Sequence, residues 1–206
     1  MTQPKNPRIL LVTPETTYLP EGMGNLANAM TAKAGGLADV SASLISALFN
    51  EGADVHVAMP DYRAMFDNQM DPVLRKQRHI IRSQMPHERV HLAEDRAFFY
   101  LHHVYSSYGW ENMRVSLAFH REVMNHIVPS VRPDLIHCND WMTALVPAMS
   151  RQMEIPCLFT THNIHTVKAT LAHIEDRGID AAYFWDHLYY DEMAEENETA
   201  RETIPV

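Results

Sequence analysis

Four short segments of this 206-residue chain combine residue types that can bind or transform a polar ligand. The first is Lys33-Ala-Gly-Gly-Leu-Ala-Asp39, in which two glycines directly precede a predicted helix. Glycines let a backbone approach a ligand closely, and a helix N-terminus presents unpaired N–H groups and a partial positive charge. Because Lys33 adds a full positive charge beside Gly35 and Gly36, the segment predicts a diphosphate site. The alternative is a turn chosen for tight helix–sheet packing, with Lys33 merely solvated.

The second segment places an amide, a carboxylate and an indole directly after an apolar run, as Asn139-Asp140-Trp141. Amides and carboxylates form hydrogen bonds with sugar hydroxyls, and the face of a tryptophan packs against a sugar ring. Asp140 also stands where a helix N-cap is expected, and Trp141 is a candidate core residue. For Asp140 we predict the capping role first, and a ligand-binding role is compatible with it.

The third segment, Thr160-Thr-His-Asn-Ile-His165, places His162 and Asn163 after another apolar run. Both side chains can form hydrogen bonds with a ligand, although a lone histidine after a strand is more often structural than catalytic. Together with His137, the two histidines of this segment would also allow a metal site. Their spacing matches no metal-ligand motif, so we do not favour it.

The fourth segment runs from Gly109 to Arg114 and holds Glu111 near a predicted helix start. An acidic side chain is favourable there whatever the function, so we interpret Glu111 as structural. Neither the Walker A pattern nor GxGxxG occurs at the glycines of the first segment. A nicotinamide-dependent oxidoreductase is therefore not favoured.

Strands and helices alternate along the chain, and the unusual segments follow strands. Apolar runs predict buried strands over Arg8–Thr13, Asp54–Met59, Asp134–Cys138 and Pro156–Thr161. Apolar periodicity predicts helices over Leu37–Asn50, Trp110–Val128 and Trp141–Met153. Pro129 and Pro133 are expected to end the second helix. The alternation predicts an α/β fold with a mainly parallel, Rossmann-like sheet, and such sheets bind ligands beyond the carboxyl ends of their strands.

Three stretches fit this alternation less well. A long loop is predicted from Pro14 to Gly35, with a short helix from Asn25 to Ala32 inside it. Residues 61–108 contain β-type stretches such as His79-Ile-Ile81 and predict a strand-rich, antiparallel excursion. The tail from Thr166 predicts helices in pieces.

Composition narrows the classes of function. The chain carries 17 basic and 26 acidic residues, a net charge of −9. Nucleic acids and anionic membranes repel such a chain, so neither is an expected partner. Two cysteines, Cys138 and Cys157, form neither a disulfide framework nor a CxxC metal pair, which fits a cytoplasmic setting. The apolar run Ile9–Val12 is too short for a signal peptide or a membrane span.

Taken in order, the four segments resemble the glycogen/starch synthase family. The family's Lys-x-Gly-Gly-Leu-Ala-Asp motif is matched by residues 33–39, its His-x-Asn-Asp-Trp motif by 137–141 and its Thr-x-His-Asn segment by 160–163. A helix start of the Asp-Asn-x-x-Arg-Phe type is matched loosely by residues 111–114. The resemblance extends from the first strand to about residue 190.

The resemblance implies a GT-B enzyme of two Rossmann-like domains. Such an enzyme transfers glucose from ADP-glucose or UDP-glucose to the non-reducing end of an α-1,4-glucan, with retention and without a metal or other cofactor. Residues 1–206 would form its single N-terminal, acceptor-side domain. The C-terminal nucleotide-binding domain is absent from these residues, so we expect the chain to be a fragment that is inactive alone. Its expected partners are the nucleotide sugar, the glucan and that second domain.

The resemblance also implies roles for individual residues. Asp140 and His162 would be catalytic. The substrate-binding residues would be Lys33, Gly35, Gly36, Trp141, Asn163 and Glu15. Among these, Lys33 and the two glycines would face the donor diphosphate, whereas Glu15 matches an acidic position of the same cleft.

Three departures from the family pattern keep other functions open. The segment between Glu15 and Lys33 is longer than usual, and Glu111 stands where the family often has aspartate. Residues 164–168 read Ile-His-Thr-Val-Lys where the family tends to have Tyr-Gln-Gly. These differences leave a related GT-B glycosyltransferase with another sugar or acceptor as an alternative. A non-catalytic carbohydrate- or nucleotide-binding module is a second one.

Overall fold

The computed structural model of the chain describes residues 6–24, 30–84, 89–163, 168–188 and 203–205. Its central sheet has five parallel strands: β1 Arg8–Val12, β2 Asp54–Pro60, β3 Val90–Ala93, β4 Leu135–Asn139 and β5 Cys157–Thr160. Their spatial order is β3-β2-β1-β4-β5. The chain therefore runs outward from β1 to β3 and returns to the other side of β1 for β4 and β5. The carboxyl end of β1 lies at this switch point, where open α/β sheets bind ligands.

Helices flank the sheet. They are α1 Gly36–Asn50, α2 Arg63–Gln69, α3 Pro72–Gln84, α4 Arg96–Phe99, α5 Gly109–Glu122, α6 Val128–Val131, α7 Val146–Ser150 and α8 Leu171–Glu175. A small antiparallel sheet pairs β6 Lys168–Thr170 with β7 Thr203–Pro205. The predicted α/β fold with a parallel sheet is confirmed, and each of the four predicted strands is found to within one residue at either end. No helix in the described ranges is long and apolar enough to cross a bilayer.

The core forms around the central strand. Leu10, Leu11 and Val12 of β1 are fully buried, as expected of a parallel strand covered on both faces. The helix α1 packs on the sheet through Leu37, Ala38, Ser41, Ala42 and Ile45. The helical spacing of Leu37, Val40 and Leu44 predicts that Val40 shares that buried stripe, but 48% of it is exposed.

The strand-rich interpretation of residues 61–108 is wrong. This segment forms α2, α3 and α4 together with β3, and β3 is parallel to β2. The triplet at residues 79–81 lies in α3, where good helix formers such as Arg75, Lys76 and Gln77 outweigh its β-type character. At the start of α3 the backbone N–H of Val73 donates to Asp71 Oδ1 over 2.8 Å. This capping bond stabilises the start of α3. The β-propensity of the triplet gives no indication of it.

The helix predicted over Trp110–Val128 does not end at Pro129. The helix α5 passes into a π-helical turn, Val123–Ile127, and the chain stays helical as α6. Pro129 is the second residue of α6 and directly follows the π-helical turn, a helix irregularity of the kind found beside prolines. Arg132 ends the helix in the left-handed conformation, with φ 54°.

The helix predicted over residues 141–153 is interrupted. It consists of a 3₁₀ turn at Trp141–Thr143, then α7, then a second 3₁₀ turn at Arg151–Met153. The tail contains α8 and further 3₁₀ turns, as predicted, but residues 168–170 form a strand instead of a helix.

The ends of the long loop after β1 are held together. Thr16 and Ala32 form an antiparallel bridge whose two N–H···O bonds measure 2.9 and 3.0 Å. This bridge brings residues 33–36 back to the carboxyl end of β1. The short helix predicted inside the loop falls mostly on residues 25–29, which lie outside the described residues.

The two cysteines meet in space although they are distant in sequence. Cys138 of β4 and Cys157 of β5 are free thiols whose Sγ atoms lie 3.6 Å apart. Burial raises the pKa of Cys138, whereas the hydrogen bond from Cys138 lowers the pKa of Cys157. Spacing along the sequence gave no indication of this contact.

Buried neutral histidines make stability depend on pH. Burial, and next the charge of the neighbouring His56, lower the pKa of His91 to about 4. An unfolded histidine titrates near about 6.5. Between these values the unfolded chain binds more protons than the folded one, so stability falls as pH falls.

We therefore expect the chain to lose about 3 kcal/mol of stability through His91 alone between pH 7 and pH 4, at about 1.36 kcal/mol per pKa unit. Urea unfolding of His91→Gln over this range should show a correspondingly shallower loss than the wild type. His102 is exposed, and His102→Gln is the matched control that should follow the wild type. Parallel curves for all three proteins would contradict a partly buried His91 that stays neutral in the folded chain.

Candidate functional site

A cleft of about 570 Å³ opens at the carboxyl ends of β1, β4 and β5. Its lining residues are Glu15, Gly35, Gly36, Leu37, Val40, Tyr105, Asn112, Asp140, Trp141, His162 and Asn163. The structure therefore brings together every site residue predicted from the sequence except Lys33. They meet because parallel strands deliver the residues that follow them to one edge of the sheet.

The two glycines stand in open space at the start of α1. The φ of Gly35 is −156°, an extended value that any residue adopts. A Cβ built at Gly35 or at Gly36 would meet no atom within 4 Å. Neither conformation nor packing therefore requires glycine here, which argues against the tight-packing interpretation. The glycines instead leave a helix N-terminus uncovered toward the cleft.

A buried carboxylate holds the turn that precedes these glycines. Glu15 is 1% exposed, and its Oε2 accepts hydrogen bonds from the N–H groups of Ala34 (2.5 Å) and Gly35 (3.1 Å). Its Oε1 accepts from the hydroxyl of Tyr105 over 3.0 Å. Burial, and next the charge of Glu15, raise the pKa of Tyr105 well above its usual range, so this phenol stays protonated and donates. Glu15 thereby ties the start of α1 to the opposite wall of the cleft.

Lys33 is paired beside the cleft and is not part of its lining. Its Nζ lies 2.8 Å from each carboxylate oxygen of Asp39, and about half of each side chain is exposed. The hydrogen bond from Lys33, and next one from Thr17, lower the pKa of Asp39. Lys33 is therefore not merely solvated. Because an exposed ion pair contributes little to stability, its ammonium group can turn toward an anion at low cost.

Asp140 adopts a strained backbone conformation at the end of β4. Its φ of 65° and ψ of 176° fall in a region that is essentially restricted to glycine. The predicted N-cap is wrong, because the side chain makes no capping bond to the turn that follows. Its Oδ1 accepts instead from the backbone N–H groups of His162 (3.3 Å) and Asn163 (3.2 Å). Asp140 thus holds the segment after β5 against the end of β4.

Trp141 belongs to the core and also lines the cleft, two positions that the sequence alone had left open. It is 8% exposed, yet it lines the cleft, and its ring centroid lies 6.0 Å from that of Tyr105. The two aromatic rings form an apolar wall facing the open glycines. Such a wall suits the face of a sugar ring.

Two histidines, His137 within β4 and His162 after β5, are engaged in hydrogen bonds. His162 Nε2 lies 3.1 Å from Asn139 Oδ1, and His137 Nε2 lies 2.8 Å from Thr160 Oγ1. Burial, and next the charge of His162, lower the pKa of His137. His165 falls outside the described residues. Among the residues that the structure describes, no group of three or more His, Cys, Asp or Glu side chains is placed to hold a metal ion.

Sequence reasoning missed part of the cleft lining. Tyr105 lies in the segment that was interpreted as strands, and no motif marks it. Asn112 lies in the loosely matched helix start, where its Oδ1 accepts from the N–H of Ser106 over 2.7 Å. Glu111 accepts a hydrogen bond from the Ser106 hydroxyl, in agreement with its structural interpretation. Val40 on α1 also lines the cleft, and this position explains why about half of its side chain is exposed.

Comparisons with known proteins agree with this geometry. Residues 8–199 match the family model described as starch synthase catalytic domain. A glycogen synthase of Geotalea uraniireducens is 32% identical, over 74% of this chain and 37% of that protein. A glycogen synthase of Moorella thermoacetica is 34% identical, over 76% of this chain and 33% of that protein. The chain thus spans about a third of the length of these curated relatives.

A solved structure shares the fold. The catalytic domain of starch synthase IV from Arabidopsis thaliana, bound to ADP and acarbose, matches with a TM-score of 0.62 at 19% sequence identity. The match covers 98% of this chain and 42% of that chain. At this identity the likeness establishes the GT-B architecture and nothing finer.

Proposed function

Because this chain belongs to the starch synthase catalytic domain family, we propose that it supplies the acceptor-side half of a retaining glucosyltransferase. The donor is ADP-glucose or UDP-glucose, and the acceptor is the non-reducing end of an α-1,4-glucan. Residues 1–206 form one Rossmann-like domain of a two-domain enzyme, and this domain alone transfers no glucose. The reaction needs no metal and takes place in the cytoplasm.

One observation carries this proposal. An uncovered helix N-terminus at Gly35 and Gly36 shares a single cleft with a carboxylate, an indole and an imidazole, from Asp140, Trp141 and His162. The first group suits a diphosphate, and the other three suit a sugar. A nucleotide sugar contains both parts in one molecule. The ADP in the Arabidopsis neighbour supports ADP-glucose ahead of UDP-glucose.

The helix start assists departure of the nucleoside diphosphate. As the bond to the sugar breaks, negative charge develops on the leaving oxygen. Preorganised N–H groups and cations aimed at that oxygen lower the barrier. The N–H groups of Ala34 and Gly35 are occupied by Glu15, so the anion meets the first helical turn from Gly36 onward. Lys33 adds its charge by turning away from Asp39.

The opposite wall positions the glucose. Trp141 packs against the sugar ring, while Asp140 and His162 form hydrogen bonds with its hydroxyls. Because Asp140 uses Oδ1 for the two backbone N–H groups, its Oδ2 is the oxygen that serves the sugar. Holding the anomeric carbon against the acceptor hydroxyl converts an encounter of two substrates into an oriented one.

Glucose transfer to glycogen tests the proposal directly. A polypeptide that joins this chain to its C-terminal domain should transfer glucose from ADP-glucose, UDP-glucose or both. The 206-residue chain, assayed in parallel, should transfer none. A folded two-domain protein that uses neither donor would overturn the proposal and favour a different sugar or a binding module.

Lys33→Ala should separate donor use from folding. We expect kcat/KM for the nucleotide sugar to fall by about 10²-fold, as when one electrostatic contact to a developing charge is lost. The free energy of unfolding should change by less than about 1 kcal/mol, because the pair with Asp39 is exposed. Lys76 on α3 is also exposed, and Lys76→Ala should alter neither quantity. If Lys33→Ala instead lowered the free energy of unfolding as severely as it lowered kcat/KM, Lys33 would have a structural role.

A further inference from the structure

Asn139, the last residue of β4, lies behind the cleft in direct contact with His162. It is 1% exposed, and its Oδ1 is 3.1 Å from His162 Nε2. Asn139 is not part of the cleft lining, so any effect that it has on a ligand passes through the histidine. The contact therefore links a fully buried amide to an exposed ring that lines the cleft.

The chemistry of this contact fixes where the imidazole hydrogen sits. An amide oxygen accepts hydrogen bonds and cannot donate them. With the amide oxygen toward the ring, as the structure places it, His162 Nε2 carries the hydrogen. In a neutral imidazole the second nitrogen, Nδ1, is then an acceptor. It is the ring nitrogen that remains for a ligand.

The backbone of His162 is anchored beside its ring. The N–H of His162 donates to Asp140 Oδ1 over 3.3 Å, so consecutive residues at the end of β4 hold both the main chain and the side chain of His162. Besides Asp140, a titratable group close to the ring is His137, whose own ring is bonded to Thr160. Two anchors of this kind leave the ring little freedom to rotate and exchange its nitrogens.

The nitrogen of the Asn139 amide is further evidence that this side chain does more than fill space in the core. Its Nδ2 is buried and has no hydrogen-bond partner. A buried polar atom without a partner costs about 1–3 kcal/mol. A side chain that served packing alone would avoid this cost by being apolar. The amide oxygen that reaches His162 is the feature that accounts for an asparagine here.

We propose that Asn139 is a positioning residue that holds His162 as the Nε2–H tautomer, so that Nδ1 meets the ligand as an acceptor for a hydroxyl hydrogen. The identity of the ligand as a sugar rests on the proposed function, whereas the tautomer does not. The consequence is directional. His162 receives a hydrogen bond from the substrate and does not donate one to it.

Nitrogen-15 NMR of the histidine rings tests the tautomer in this chain without any activity. In ¹⁵N-histidine-labelled protein at neutral pH, with His162 assigned by its loss in His162→Gln, we expect the hydrogen on Nε2. Asn139→Ala should give a mixture of tautomers. Asn139→Asp should raise the pKa of His162 by about one unit or more, because a carboxylate favours the charged ring.

Two results would overturn the proposal. One is a wild-type His162 with its hydrogen on Nδ1, a result that does not depend on the folding of any Asn139 variant. The other is an Asn139→Ala protein that unfolds cooperatively like the wild type and keeps the wild-type tautomer. Backbone amide spectra of each variant separate lost folding from lost positioning.

Kinetic measurements on the two-domain enzyme test whether the tautomer of His162 matters for the reaction. Asn139→Ala should lower kcat/KM by about tenfold, the loss of one hydrogen bond of about 1.4 kcal/mol. Asn139→Asp should shift the pH–rate profile upward in step with the NMR titration. An unchanged rate despite a changed tautomer would refute positioning. If the wild-type enzyme transfers no glucose, the proposed function fails while the NMR result still decides the tautomer.

Discussion

Asp140→Ala and Asp140→Gly should lose glucose transfer equally, by about 10³-fold, and yet differ in stability. Both variants remove the carboxylate that we propose binds the sugar, and which holds the backbone of His162 and Asn163. The backbone at position 140, with φ 65° and ψ 176°, is strained for alanine and relaxed for glycine. We therefore expect the glycine variant to be the more stable by about 1–3 kcal/mol.

Urea unfolding of the chain and transfer assays of the two-domain enzyme measure these two quantities. Asp140→Asn is the matched third variant, because its amide oxygen can still accept from the two N–H groups. It should keep more stability than Asp140→Ala and still lose transfer. Equal stability of the alanine and glycine variants would show that position 140 is unstrained. Full activity in any of the three would remove the Asp140 carboxylate from the reaction.

Glu15→Ala should destabilise the chain by about 2–4 kcal/mol, since three donors lose their acceptor and a cavity remains. Those donors are the N–H groups of Ala34 and Gly35 and the hydroxyl of Tyr105. Without the carboxylate the turn before α1 is no longer held, so nucleotide-sugar binding should weaken as well. The effect reaches the ligand through the position of the helix start.

Glu15→Gln is the informative control. The amide oxygen can accept from the turn while the amide nitrogen donates to Tyr105, because a hydroxyl can reverse its role. We expect stability within about 1 kcal/mol of the wild type and unweakened binding of the nucleotide sugar by calorimetry. Transfer lost with stability and binding intact would mean that the charge of Glu15 acts in the reaction. A Gln variant as unstable as the Ala variant would contradict the assigned hydrogen bonds.

The sequence determined the sheet and most of the candidate cleft for a local reason. A run such as Arg8–Val12 is apolar because it is buried on both faces, and this pattern can be recognised without knowing its neighbours. The residues that follow such runs meet at one edge of a parallel sheet. Asp140 and His162 could therefore be assigned to one site although different strands deliver them.

Features that depend on distant partners could not be predicted in this way. Tyr105 enters the cleft because its hydroxyl finds Glu15, and no local pattern announces that contact. The capping role was predicted because Asp140 stands just before a turn. Its side chain instead accepts hydrogen bonds from the backbone of His162 and Asn163, which follow β5. The strand prediction for residues 79–81 was wrong for a similar reason. A short β-type run is ambiguous unless the helix-forming residues around it are also considered.

The spatial order of the strands has a consequence for synthesis on the ribosome. β1 pairs with β2 soon after both emerge, but its other edge belongs to β4, and 126 residues separate Arg8 from Asp134. At about 5–20 residues per second, β1 waits about 6–25 s for that partner. Through this interval one edge of the central strand is open to wrong pairing. The nascent chain is thus most vulnerable to aggregation just before β4 appears, and the cleft is assembled only after that point.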